Sequence, residues 1–296
     1  MKQGIQTIKL IASMAIFGTV GVFVRYVAMP SGFVAMIRGL VGVLFILFSA
    51  LLMKRRISFE AIKRNFVILA VSGAFIGINW IFLFEAYRFT TVATATLCYY
   101  MAPAFLIVVA PVFLKERITP WKAVCVAVSI LGMALVSGLF DAELPGGEDA
   151  LGILFGLLAA MFYTSVIVLN KKLVEISPYD KTAVQLLFAS LAVVPYVIFA
   201  EEVTAAAFNW HSVLMLIIVG IVHTGLAYVL YFDSLSGVSA QSVSIYSYVD
   251  PILAVLLSAL LLSEPLTLSG IVGAVLILAS TLVASLDFSK LRKTRK

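Results

Sequence analysis

The chain has 296 residues, 62% of them hydrophobic and only 12% charged, with a formal net charge of +6. Soluble domains carry about a quarter of their residues as charges, so this composition excludes a water-soluble globule and reads as a polytopic membrane protein. The positive balance does not mark a nucleic-acid surface, because the basic residues fall in short loops and in the tail, where they report topology.

A spanning helix needs about 20 mostly apolar residues. That template predicts ten spans, at residues 8–27, 33–53, 66–87, 91–114, 119–138, 151–171, 180–200, 211–232, 238–262 and 267–287. Lys2 and Lys9 ahead of the first apolar run give it the look of a signal peptide. It lacks a clear small-residue cleavage site and is read as the first span. Pro30-Ser31-Gly32 precedes the second span, and Thr119-Pro120 supplies an N-cap and a first-turn proline for the fifth. The longest break, 141–149, is acidic and divides the chain into a first half, 1–140, and a second, 150–288, followed by a basic tail at 289–296. Cys98 and Cys125 both lie in apolar runs, which leaves no disulfide framework and no metal-ligand spacing.

Orientation follows from the loop charges. With the N-terminus in the cytoplasm, 18 of the 21 Lys and Arg residues fall on the inner side. Only Arg25 and Arg88 fall outside, and Arg38 lies within a span. Both termini are therefore expected in the cytoplasm of a cell whose plasma membrane the chain crosses.

The two halves repeat one pattern. Shifted by 148 positions without a gap, residues 67–137 lie over 215–285. Pro103 falls on Pro251, Tyr100 on Tyr248, Gly77 on Gly225 and acidic Glu85 on acidic Asp233. The joint Leu114-Lys115-Glu116-Arg117-Ile118-Thr119 meets Leu262-Ser263-Glu264-Pro265-Leu266-Thr267, keeping Leu, Glu and Thr. Five spans is an odd number, so the second copy enters the membrane upside down. The expected fold is an all-α integral membrane protein of ten transmembrane helices arranged as two inverted five-helix repeats, an arrangement characteristic of secondary transporters.

Two five-helix halves, a proline within spans four and nine, and a Leu-x-Glu-x-x-Thr joint before spans five and ten resemble the drug/metabolite transporter superfamily, in particular its EamA family of permeases. The resemblance covers nearly the whole chain. It implies a carrier without ATP-binding parts, with a central cavity lined by spans 1, 3, 4, 6, 8 and 9. Members of that superfamily export amino acids or other metabolites, import choline, or exchange nucleotide sugars or phosphorylated sugars.

Asp250 is the most informative residue, because it lies near the centre of span nine, where an ionised carboxylate is costly unless it faces water or a partner. Its repeat counterpart is Ala102, so the scaffold does not require an acid there. It is a candidate for binding a substrate cation or carrying a proton, against the alternative of a neutral acid or one paired with Arg38. Tyr246 stands one helical turn before it. Tyr99, Tyr100, Asn79, Trp80, Tyr163 and Phe17 are the remaining candidates around it, a set suited to an ammonium group through cation–π attraction. Helix packing accounts for such aromatics equally well. His223, near the middle of span eight, could relay protons or be a satisfied interhelical histidine. Pro103 and Pro251 are candidate hinges, each freeing a carbonyl four residues earlier. For Glu116 and Glu264 a structural joint suffices. Arg38 is expected to reach the interface along its stem or to pair for folding.

The reading that follows is a carrier of a small polar metabolite, most simply an exporter of amino acids or related amines. Uptake of choline or another quaternary ammonium compound is the alternative. An intramembrane enzyme is disfavoured, since there is no HExxH and His211 and His223 are the two histidines. No cofactor and no metal are expected. The partners are the lipid bilayer and a small-molecule substrate; proton antiport, facilitated diffusion and exchange all stay open, as does the oligomeric state.

Overall fold

Short polar residues and prolines bound the apolar runs, and the helices begin where these residues can satisfy the first free amides. The computed structural model describes residues 2–139, 146–235 and 237–285; the basic tail at 289–296 and residues 140–145 of the central break lie outside the described residues. Thr91, Thr119, Ser177 and Ser239 each accept a hydrogen bond from the amide three residues on, at 3.0, 3.4, 3.1 and 3.2 Å. The helices are α1 (Lys2–Arg25), α2 (Ser31–Leu52), α3 (Phe59–Arg64), α4 (Phe66–Phe89), α5 (Val92–Tyr99), α6 (Ala102–Phe113), α7 (Pro120–Val136), α8 (Gly147–Asn170) and α9 (Pro178–Ala200). They continue with α10 (Trp210–Ile218), a π-helical segment (Val219–Leu226), α11 (Ala227–Ser234), α12 (Ala240–Tyr246), α13 (Val249–Leu261) and α14 (Leu268–Ser285).

Among the described residues, eight stretches are long and apolar enough to cross a membrane; Pro120–Val136 and Val249–Leu261 are apolar but shorter. Large apolar side chains such as Leu44, Leu51, Val112, Phe199 and Leu260 point outward, as suits a protein solvated by lipid. The chain is a multi-pass membrane protein.

Spans four and nine depart from the continuous helices the sequence suggests. Each is two helices, α5–α6 and α12–α13, and Val92 and Ala240 begin them at the same 148-residue step as the repeat. Pro103 and Pro251 stand in the first turns of α6 and α13, where an amide has no intrahelical partner to lose. The prolines therefore mark breaks rather than bends within a helix. Because α12 stops at Tyr246, that residue and Asp250 do not share one helical face.

The Leu-x-Glu-x-x-Thr joints have the same geometry in both halves. Lys115 (φ 56°) and Ser263 (φ 54°) adopt the left-handed conformation. The amides of Glu116 and Glu264 then donate back to Ala110 and Ser258 carbonyls, each at 3.3 Å. This six-residue closure ends the helix, the glutamate side chain is thrown clear, and the threonine opens the next helix.

Packing interleaves the two halves. α4 lies against α8 and α9, α2 against α9, and α1 against α11 and α13, while α7 and α14 pair mainly with each other. Apolar burial does little to drive helix association in lipid, so small residues and hydrogen bonds matter more. Between α7 and α14 a Cβ on Gly132 would lie 2.8 Å from the Gly273 carbonyl oxygen, and Ser129 and Ser280 hydroxyls meet at 2.7 Å. Gly18 on α1 plays the same part against α13, where a Cβ would come 2.5 Å from the Asp250 carbonyl oxygen.

Candidate functional site

The breaks in spans four and nine bring a tyrosine and a carboxylate face to face in the middle of the bundle. Tyr100 sits in the turn between α5 and α6, and its hydroxyl donates to Asp250 Oδ2 at 2.8 Å. Asp250 lies in the first turn of α13, so the positive end of that helix favours its charge. Both line a cavity of about 590 Å³, within the usual range for small-molecule sites. Its walls come from spans 1, 3, 4, 6, 8 and 9, as the resemblance implied, and also from Arg38 on α2 and the end of α14.

Of the residues singled out from sequence, Phe17, Trp80, Tyr99, Tyr100, Tyr163, Asp250 and the proline Pro103 line this cavity. Tyr99 stacks obliquely on Tyr163, with ring centroids 5.2 Å apart. Asn79, His223, Tyr246 and Pro251 are not on its wall. The Asn79 amide donates to the Ala159 carbonyl at 2.6 Å, tying α4 to α8. His223 is 1% exposed, with Nε2 2.7 Å from the Thr19 hydroxyl and Nδ1 3.4 Å from the Ile218 carbonyl. The single Thr19 hydroxyl proton also has the Ile16 carbonyl within reach at 2.8 Å; when it turns to Nε2, a neutral ring protonated at Nδ1 meets both partners. His223 and Asn79 thus hold helices together.

Tyr228, Tyr231 and Tyr248 also line the cavity and were not singled out. The signal was present, since the 148-residue step carries Trp80 onto Tyr228 and Tyr100 onto Tyr248. Arg38 is the larger surprise. It neither reaches an interface nor pairs with Asp250: it is 5% exposed, and among the described residues it makes no ion pair. Its Nε donates to Thr224 Oγ1 at 2.7 Å, and its guanidinium lies 4.4 Å from the Trp80 ring centroid and 5.6 Å from that of Phe84. The Thr224 hydroxyl in turn donates to Val219, five residues back along the π-helical segment, at 3.2 Å. A desolvated cation–π contact is worth about 2 kcal/mol, against about 3 kcal/mol or more for a charge at mid-helix depth. The two ring contacts together are of the same order as that cost.

At one end the cavity opens among Glu116, Arg117, Lys122 and Lys171. Lys171 donates to Glu116 at 2.8 Å, and this hydrogen bond holds the Glu116 carboxyl below its usual pKa. Tyr87 stands toward the opposite end. Tyr87, 3% exposed, lines both this cavity and a second one of about 490 Å³ beyond it, and so stands as the partition. Arg25 donates to the Tyr87 carbonyl. Next to it Glu264, 8% exposed, accepts from the first amides of α5, Val92 at 3.0 Å and Ala93 at 3.4 Å. On the same side Glu201 accepts from Gly32 at 2.7 Å and Phe33 at 2.9 Å, capping α2.

Comparison with known proteins adds a lineage to this geometry. The sequence model described as the EamA-like transporter family matches residues 5–138 and again 150–286. A Bacillus subtilis protein named as an uncharacterized transporter is 30% identical over 272 residues, covering 92% of this chain and 86% of that one. An Archaeoglobus fulgidus protein of similar name is 29% identical over 276 residues, with 93% and 94% covered. A Salmonella typhimurium protein named as an uncharacterized inner membrane transporter is 26% identical, with 95% of each chain covered. A solved crystal structure superposes with a TM-score of 0.63 over 95% of this chain and 97% of that one, at 16% identity, a likeness of fold.

Proposed function

The chain belongs to the EamA-like transporter family, and from that premise we propose that it is a secondary carrier exporting amino acids or related amines by alternating access. Its ten spans form two inverted five-helix repeats, 1–140 and 150–288, with both termini in the cytoplasm of a plasma-membrane protein. The loop charges support that orientation, and one relative bears an inner-membrane name. In this orientation the open mouth at Glu116 and Lys171 faces the cytoplasm and the Tyr87 partition faces outward.

One observation carries the reading: a cavity with Tyr87 between it and a second one holds the span-nine carboxylate bonded to a tyrosine. Asp250, Tyr99, Tyr100, Tyr163 and Phe17 form its binding wall for a substrate ammonium. The breaks ahead of Pro103 and Pro251 serve as hinges between the halves. One face of Trp80 is already covered by Arg38, which places a positive charge beside any aromatic cage there and weighs against a quaternary ammonium substrate. The test is flux of labelled amino acids and amines in reconstituted vesicles across a pH series. Asp250→Asn abolishes flux or makes it insensitive to pH while the protein stays folded; unchanged flux removes Asp250 from the mechanism.

A further inference from the structure

We propose that Arg38 is the carboxylate-binding group of the central cavity, so that the transported compound is a zwitterion with its anionic end on Arg38 and its ammonium end toward Asp250. The inference deepens the transport reading and rests on it.

The guanidinium is held from behind and below. Nε is taken by Thr224 and one face by Trp80, while among the described residues Nη1 and Nη2 donate to no protein acceptor. What remains free is the end-on edge of two parallel N–H groups, the edge that grips a carboxylate with two hydrogen bonds. The π-helical segment makes this arrangement. By sending the Thr224 proton to Val219, it leaves an oxygen lone pair to accept from Nε, so the edge is fixed in direction before any ligand arrives. The preorganised site lies in the wall of the same cavity as Asp250, yet the two charges do not pair. Tyr87 and Tyr99 line the same cavity as both. A ligand spanning them would neutralise both charges at once, whereas a simple amine would leave Arg38 uncompensated beside it.

The experiment reads Trp80 directly. Trp121 and Trp210 are half-exposed and exposed, and replacing both (Trp121→Phe, Trp210→Phe) leaves Trp80 as the remaining indole of the three. The purified full chain in lipid nanodiscs is titrated with each of the common L-amino acids, with the matching carboxamides, and with the matching acids lacking the amino group. The expected result is that at least one amino acid changes Trp80 emission and that its carboxamide binds at least tenfold more weakly. Arg38→Lys should remove that preference, and the ligand series stands without the variant should it fold poorly. Equal binding of acid and carboxamide overturns the assignment while leaving a carrier in place. A deaminated acid that binds as well as the amino acid keeps Arg38 and removes the ammonium role of Asp250. Binding by none of the three series overturns the assignment and the amino-acid reading together.

Discussion

Glu264→Gln isolates what anchors the start of α5. The Glu264 carboxylate, nearly buried, accepts a good hydrogen bond from Val92 and a long one from Ala93 at the start of α5. A hydrogen bond to a charged group contributes about 1.5–3 kcal/mol, and a charge at a helix N-terminus about 0.3–1 kcal/mol. The glutamine keeps one acceptor oxygen but loses the charge, so a net loss of about 1.5–2 kcal/mol is reasonable, an increase of roughly 10- to 30-fold in the open population. Amide hydrogen exchange in nanodiscs reads it at Val92 and Ala93, which should exchange faster by that factor. Glu116, its partner in the repeat, is the matched control. It is half exposed and paired with Lys171, a contact worth about 0–1 kcal/mol, so Glu116→Gln should leave local exchange within about fivefold. Unchanged exchange at Val92 and Ala93 in a folded Glu264→Gln protein would refute the reasoning.

Further outcomes follow from the same geometry. Gly18→Ala drives a methyl group against the Asp250 carbonyl and should cost about 1–3 kcal/mol by overpacking, seen as a lower melting temperature. Gly4→Ala, with nothing within 4 Å of its added carbon, should melt as the parent does. Because Lys171 holds the Glu116 carboxyl below its usual range, the pair's small contribution is present above the ordinary carboxylate pKa of about 4.3. It is lost only as pH falls through the lowered value, so Glu116→Gln and parent melting curves should differ by a constant amount from neutral pH down to that range and converge below it.

The repeat made much of this legible. Helix starts at Val92 and Ala240, the two joints and the pairing of Pro103 with Pro251 all follow the 148-residue step. Asp250 stood out because an acid is expensive at that depth. The breaks after Tyr99 and Tyr246 were harder to see, since a proline in an apolar run reads equally as a bend or as the start of a new helix. Which residues face the cavity was harder still. A membrane helix apolar on every side has no polar stripe to mark its inner face, so the sequence does not separate Tyr163, which lines the cavity, from Asn79 and His223, which do not. The π-helical segment left no pattern of its own, yet it decides where Thr224 sits and hence how Arg38 is held.

The central claim is that one cavity around Asp250 is the substrate's path and opens to one face at a time. Leu106, on its wall, supplies the probe, as Leu106→Cys in a protein with Cys98→Ala and Cys125→Ala. Labelling with a membrane-impermeant maleimide is compared in inside-out and right-side-out vesicles. The account predicts fast reaction from the cytoplasmic face, slow reaction from the outer face, and protection by the transported compound. Equal reaction from both faces, or reaction from neither, would contradict it.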